Sequence, residues 1–193
     1  MAASPVVVFQ TLASKDGQTP RVSSDLAEGI RKQDGFQGAS FGLKMEDPDT
    51  GIFCTEWSSR ESATSYLSSL GTSVEAKETL LIAMTSPSRR ALEAPCTEIF
   101  TAFGAEEGFM EAVGRFVAAV EKTPPVGYLG AQFGESTGGD GDGDKAVRML
   151  LGWTSKEAHL EAKGAPGAIQ DNIHELRALR KAVDLFHVQF KKL

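Results

Sequence analysis

The chain has 193 residues, of which 41% are hydrophobic, and its formal net charge is -6. This composition is typical of a folded globular protein and excludes collagen and extended disorder. The acidic balance argues against a nucleic-acid partner, because phosphate binding needs clustered Lys and Arg. The two cysteines, Cys54 and Cys96, are too few for a disulfide framework. No signal core or membrane-spanning run is visible, so we expect a cytoplasmic protein with no membrane contact.

The residue pattern of the first half predicts strand, helix, hairpin, helix and strand. Strands are predicted at Val6–Leu12, Phe36–Leu43 and Ile52–Trp57, where the last two flank a Pro/Asp/Gly turn. Apolar residues four apart from Val22 to Ile30 predict the first helix. The segment after Trp57 begins with serines and an early acidic residue, which predicts the second helix. A further apolar strand closes this half.

The second half repeats this order. GFQGASFG at Gly35 recurs as GYLGAQFG at Gly127, and TEWSSRESA at Thr55 recurs as LGWTSKEAH at Leu151. VVFQTL aligns with EIFTAF, and LLIAMT aligns with LFHVQF, which places His187 opposite Ile82 in the alignment. The second half carries an extra loop, GGDGDGDK at Gly138, which lacks the later acidic ligand of a calcium loop. We therefore expect no metal site there.

Two β-α-β-β-α-β units result, which is the order of the ferredoxin-like fold. Packing one sheet against the other would explain strands that are apolar on both faces. We predict an α+β fold in which two ferredoxin-like repeats form a single-chain dimeric α+β barrel. The predicted divisions are a first repeat at 1–86, a linker at 87–96 and a second repeat at 97–193.

The hairpin that ends in tryptophan, followed by a Ser-x-Glu-Ala helix, resembles the antibiotic biosynthesis monooxygenase group of the dimeric α+β barrel superfamily. The residues that carry this resemblance are Gly35, Gly38, Trp57, Ser59, Glu61 and Ala63, and then Gly127, Gly130, Trp153, Ser155, Glu157, Ala158 and His159. The tandem arrangement resembles members common in fungi. The resemblance implies a small enzyme of secondary metabolism, among cofactor-free oxygenases, polyketide cyclases, dehydratases and lyases.

The same resemblance gives Trp153 a role against an aromatic substrate, with core packing as the alternative. Oxygenase members carry an asparagine four residues before this tryptophan, whereas Phe53 and Met149 stand at those places here. This departure shifts our expectation towards chemistry without oxygen. Haem would need an open axial histidine that faces a cavity. We expect no cofactor.

His187 is the first catalytic candidate, because an imidazole inside a predicted strand suits acid/base work near neutral pH. We expect Phe100 and Thr101 on the adjoining strand to be its neighbours. His159, which matches the helix histidine of the resembling family, is the second candidate. The alternatives are a structural role for His187 and a position on the helix surface for His159. His174 falls off the apolar stripe of its helix and is expected in solvent.

Substrate-binding candidates lie on the strands of the second half. Tyr128, Gln132 and Arg148 could present polar groups into a cavity lined by Phe100, Phe116 and Phe133. An exposed edge position is the alternative for Arg148.

We predict a cofactor-independent enzyme that promotes cyclisation, isomerisation or elimination of a hydrophobic polyketide- or terpenoid-like substrate. Cofactor-free monooxygenation of a phenol or anthrone is one alternative, and a non-catalytic stress-responsive or ligand-binding barrel is another. The sequence leaves open whether the pseudodimer forms a homodimer.

Overall fold

The computed structural model describes residues 5–70, 74–86, 89–136 and 145–193. The elements of the first repeat are β1 (Val6–Ala13), α1 (Ser24–Arg31), β2 (Phe36–Leu43), β3 (Thr50–Trp57), α2 (Arg60–Leu70) and β4 (Ala76–Met84). A short helix, α3 (Arg89–Leu92), follows. The elements of the second repeat are β5 (Cys96–Phe103), α4 (Phe109–Lys122), β6 (Tyr128–Ser136), β7 (Ala146–Trp153), α5 (Lys156–Gly164), α6 (Ala168–Ala178), β8 (Ala182–Val188) and β9 (Lys191–Lys192). Most of the predicted loop at Gly138 lies outside the described residues.

The nine strands of the described residues form one sheet in the order β8-β5-β7-β6-β4-β1-β3-β2-β9. The chain passes from β8 into β9 within two residues, and β9 pairs with β2, so the sheet curls back on itself. The repeats therefore meet at two seams, because β4 pairs with β6 and β2 pairs with β9. This confirms the predicted α+β barrel built from two ferredoxin-like repeats.

Alternation along the strands produces three hydrophobic cores. The barrel interior is lined from both repeats, for example by Phe9, Ile52, Ile99, Leu150 and Phe186. The outer face of the first repeat packs against α1 and α2, and the outer face of the second packs against α4 and its neighbours. Each residue's position in the strand therefore decides whether it faces the barrel or the helices.

The link between the repeats closes one end of the barrel. Ala91 and Leu92 of α3 are buried within the barrel core, and the Thr97 hydroxyl donates a hydrogen bond of 2.6 Å to the Ala91 carbonyl. β5 begins at Cys96, the last residue of the predicted linker. None of the described helices has the length and apolar character needed to cross a membrane.

Candidate functional site

His187 lies near the end of β8 and faces the helices of the second repeat, while Phe186 and Val188 point into the barrel. Its partner across the β5–β8 ladder is Glu98. The expectation that Phe100 and Thr101 flank it is wrong, because Phe100 pairs with Leu185 instead. The side chain is 2% exposed. His187 is therefore held within the fold beside a buried carboxyl group.

The matching position in the first repeat is Leu81, not Ile82. Val8 pairs with Leu81 in the same way that Glu98 pairs with His187, and Ile82 points into the barrel core. The alignment of the sequence slipped by one residue, and such a slip exchanges the two faces of a strand. Since Leu81 is not a titratable residue, this position carries an imidazole in the second repeat but not in the first.

His159 lies on α5, which begins after Ser155. The Ser155 hydroxyl accepts a hydrogen bond from the Ala158 backbone N–H at 3.1 Å and so caps this helix. The His159 ring stacks on Trp153 with 5.2 Å between ring centroids, and its Nδ1 lies 2.7 Å from Nε2 of His187. The side chain is buried, so the structure brings the two predicted histidines into direct contact.

A carboxyl group lies at each end of the histidine pair. Glu46, from the turn between β2 and β3 of the first repeat, places Oε1 2.6 Å from His187 Nδ1 and accepts from the His187 backbone N–H at 3.0 Å. Lys156 Nζ lies 2.7 Å from the same Oε1. At the other end, Glu98 Oε2 accepts from the Trp153 indole N–H at 3.0 Å and lies 3.4 Å from His159 Nε2. We call Glu46, His187, His159 and Glu98 the relay.

The pKa values of the two carboxyl groups of the relay are shifted in opposite directions. Burial raises the pKa of Glu98 to about 7, against the opposing effects of the Trp153 hydrogen bond and the Lys163 charge. Burial also raises the pKa of Glu46, but hydrogen bonds from the His187 backbone, Lys156 and the His187 ring outweigh it and lower the pKa to about 2. Glu46 is thus a carboxylate at neutral pH, whereas Glu98 readily holds a proton.

The Glu46 carboxylate determines which ring nitrogen of each histidine carries the hydrogen. Because a carboxylate only accepts, His187 Nδ1 carries the hydrogen and donates it to Glu46. His187 Nε2 then accepts from His159 Nδ1–H, which leaves the lone pair of His159 Nε2 facing Glu98. Burial, the nearby His187 and the Lys163 charge lower the pKa of His159 to about 4, so this ring is neutral at pH 7. The relay can therefore carry a proton in either direction.

The described part of the first repeat has no equivalent relay at its own tryptophan. Trp57 stacks on Tyr66 with 4.7 Å between centroids and donates its N–H to the Thr55 hydroxyl at 2.9 Å. The Tyr66 hydroxyl donates to Gln10 Oε1 at 3.3 Å. These groups are neutral at pH 7, since burial raises the pKa of Tyr66 further. The relay therefore lies at the tryptophan of the second repeat, and the first repeat contributes Glu46 to it.

The other predicted binding residues divide between two faces of the sheet. Tyr128, Trp153, Phe100, Phe116 and Phe133 all belong to the helix-facing core of the second repeat. Gln132 and Arg148 are buried on the barrel side, so the expectation that one cavity holds all of these residues is wrong. The exposed edge position considered for Arg148 is also wrong, because Arg148 is only 3% exposed.

Tyr128 is the polar member of this group nearest the relay. Its ring meets Trp153 edge to face at 5.5 Å between centroids, and the charge of Glu98 acts on its hydroxyl group. The buried hydroxyl has no hydrogen-bond partner among the described residues. A buried hydroxyl without a partner is costly, so this atom is suited to meet a ligand oxygen.

A cleft of about 610 Å³ opens in the first repeat. It lies between the end of β1, the start of α1 and the start of β4, and its apolar wall includes Leu12, Leu26 and Val74.

His174 is exposed on α6, as expected. Both cysteines are free and buried. No group of three or more metal-binding side chains occurs in the described parts of the chain.

Sequence reasoning missed Glu46, Glu98 and Lys156. Glu98 carried a usable signal, because it is the single charged residue in the otherwise uncharged strand CTEIFTAF. Glu46 carried none, since it lies in an ordinary polar turn 141 residues before His187 in the chain. Only the closure of the barrel brings that turn to β8.

Comparison with solved structures supports the fold. An anthrone oxidase-like protein is 14% identical with a TM-score of 0.65, covering 97% of this chain and 92% of its own. A protein from Fusobacterium nucleatum, described as a candidate monooxygenase, is 10% identical with a TM-score of 0.61, covering 100% and 95%. A heme-binding protein from Thermus thermophilus is 10% identical with a TM-score of 0.54, covering 98% and 92%. No curated protein matches the chain.

The described histidines do not fit an axial role towards haem. His159 and His187 are buried, and all four of their ring nitrogens lie close to relay partners. His174 is exposed on a helix and faces no described cleft.

Residues 5–72 match the antibiotic biosynthesis monooxygenase family. The first repeat is therefore similar to antibiotic biosynthesis monooxygenase domains, and the whole chain shares its fold with the solved structures above.

Proposed function

We propose that the chain is a cofactor-independent enzyme that moves a proton on a hydrophobic, polyketide-like substrate, with His159 and His187 as its proton carriers. The supporting observation is the 2.7 Å contact between the two imidazoles, which is continued by a carboxyl group at each end. General acid/base catalysis requires groups that exchange protons near the working pH. A Glu98 carboxyl with a pKa of about 7 meets that requirement.

The proton moves along the relay in three steps. The substrate gives a proton to the Glu98 carboxylate, which passes it to His159 Nε2. His159 then releases its Nδ1 hydrogen to His187 Nε2, and the resulting imidazolium is stabilised by the Glu46 carboxylate at 2.6 Å. The Glu46 side chain is 34% exposed, so this end of the relay can exchange protons with water.

Tyr128 and Trp153 support the substrate side of the proposal. Removing a proton beside a carbonyl group places negative charge on its oxygen, and a hydrogen-bond donor stabilises that charge. The unpartnered Tyr128 hydroxyl is such a donor. Aromatic rings of the same core, such as Phe116 and Phe133, suit a flat hydrophobic substrate.

The test uses anthrone, whose acidic methylene group can be followed without any oxidant. The protein is incubated with anthrone in deuterated buffer under argon, and methylene exchange is measured by NMR. We expect catalysed exchange with the wild type, a loss of roughly 100-fold or more in His159→Gln and His187→Gln, and no change in the surface control His174→Gln. Exchange that survives in both relay variants would refute the proposal, as would anthrone binding without exchange.

Cofactor-free monooxygenation is a second candidate, supported by the family match at residues 5–72 and by the anthrone oxidase-like neighbour. In that reaction one anthrone and one dioxygen give anthraquinone and one water. Phe53 and Met149, which replace the expected asparagines, are both buried in helix-facing cores and offer no amide to a phenolate. Oxygen consumption matched by anthraquinone formation in air would favour this candidate over exchange alone.

A further inference from the structure

Arg148 is a buried cation inside the barrel, on the opposite face of the sheet from the relay. Its Nε–H donates to the Thr101 hydroxyl at 2.9 Å, and its guanidinium lies 4.5 Å from the centre of the Phe9 ring. The corresponding position in the first repeat, opposite Thr11 in the β1–β3 ladder, is the apolar Ile52. Since the first repeat packs an apolar side chain at the same position, packing of the barrel does not require an arginine here.

The described part of the chain offers the guanidinium no close anionic partner. Among the described residues no carboxylate oxygen lies within 4 Å of it, although the charges of Glu78 and Asp184 act from a greater distance. Both of these side chains are exposed, and Asp184 is 3.8 Å from Lys44. Cys54 is also nearby, but burial raises the pKa of its thiol and keeps it neutral. A buried charge without a partner is expensive, and a bound anion would offset that cost.

Gln132 supplies an independent observation on the same face. It is 6% exposed, and its Oε1 has no hydrogen-bond partner among the described residues. In the β6–β7 ladder Gln132 pairs with Leu150, and Gly134 pairs with Arg148. Gln132 and Arg148 are therefore diagonal neighbours, which places them about 7–8 Å apart. A small ligand can touch both side chains.

We propose that the barrel interior holds a binding site for a small hydroxylated carboxylate. The guanidinium, whose terminal NH₂ groups have no described hydrogen bond, binds the carboxylate through two parallel hydrogen bonds. The ligand hydroxyl donates to Gln132 Oε1. Because α3 covers the barrel end next to Gly152, the proposal places ligand entry at the opposite end.

The test uses acetate and glycolate, which differ by one hydroxyl group, at constant ionic strength. The Arg148 Nε–H resonance, assigned by through-bond experiments on the wild type, is followed by NMR while each anion is added. Binding by Arg148→Met is followed through the Gln132 side-chain amide. We expect both anions to shift this resonance in the wild type. We also expect glycolate to bind about two- to tenfold more tightly, as one hydrogen bond predicts. In Gln132→Leu that preference for glycolate should disappear.

Binding by Arg148→Met should be weaker by roughly tenfold or more, because a charged hydrogen-bond partner is lost. Arg115→Met removes an exposed arginine and serves as the control. An Arg148 resonance that neither anion moves would overturn the proposal. It would also fail if Arg148→Met bound both anions as tightly as the control. The wild-type titration decides the matter even if Arg148→Met does not fold.

Discussion

Replacing Glu98 with glutamine should change how the stability of the protein depends on pH. The folded protein raises the pKa of Glu98 from 4.5 to about 7 through burial. Between these values the unfolded chain loses its proton while the folded protein keeps it, so stability falls as pH rises. One pKa unit corresponds to about 1.36 kcal/mol, so the full loss is on the order of 3 kcal/mol. The amide in Glu98→Gln has no proton to lose.

The difference in unfolding free energy between Glu98→Gln and wild type should therefore grow by about 3 kcal/mol from pH 4.5 to pH 8. Urea unfolding followed by tryptophan fluorescence at several pH values measures this difference, and effects of other carboxyl groups cancel in it. His159, whose pKa falls to about 4, contributes in the opposite direction, because its stabilisation is lost as pH falls from 6.5.

The variant should expose this second effect, so Glu98→Gln should lose stability on acidification more steeply than wild type. Glu161→Gln, an exposed change on α5, is the matched control, and the effect of Glu98→Gln is read relative to it. A difference between Glu98→Gln and wild type that stays constant from pH 4.5 to pH 8 would show that Glu98 is not protonated by burial.

Three further predictions concern other contacts. The pKa of Glu46 is lowered to about 2, so Glu46 stabilises the fold above pH 4.5 and loses this effect as pH falls. Because its side chain is partly exposed, Glu46→Gln should remove only about 1 kcal/mol of pH-dependent stability, measured by acid titration. Gly134→Ala would drive a Cβ into the β4 backbone and should cost about 1–3 kcal/mol in urea unfolding, while Gly29→Ala in α1 should be neutral or stabilising. Trp153→Phe removes the donor to Glu98 and should raise the pKa of that carboxyl group above 7, which carboxyl-resolved infrared titration would detect.

The overall fold was predictable because the apolar periodicities are local signals in the sequence. The recurrence of GFQGASFG in the second half shows that the same unit occurs twice. The order of strands and helices along each repeat and the barrel follow from those patterns. The exact register did not follow, because strands such as β5 and β7 are buried on both faces and alternation gives no signal there. Ile82 was assigned in place of Leu81 because LLIAMT and LFHVQF were aligned one residue out of register.

The candidate site was predictable only in part. His187 and His159 were identified as imidazoles on a strand and a helix, yet their contact depends on how α5 packs onto β8. Glu46 could not be found, since a contact across 141 residues leaves no local pattern. Arg148 was singled out correctly as unusual, but its face depended on the register, which the sequence did not supply.

The two seams have a consequence for how the barrel assembles. A sheet edge with unpaired backbone groups recruits other strands, and barrels remove this hazard by closing. Here both closures, β4 to β6 and β2 to β9, occur within one chain. Closure of this barrel is thus intramolecular, so its unfolding midpoint should not depend on protein concentration, unlike that of a barrel assembled from two separate chains.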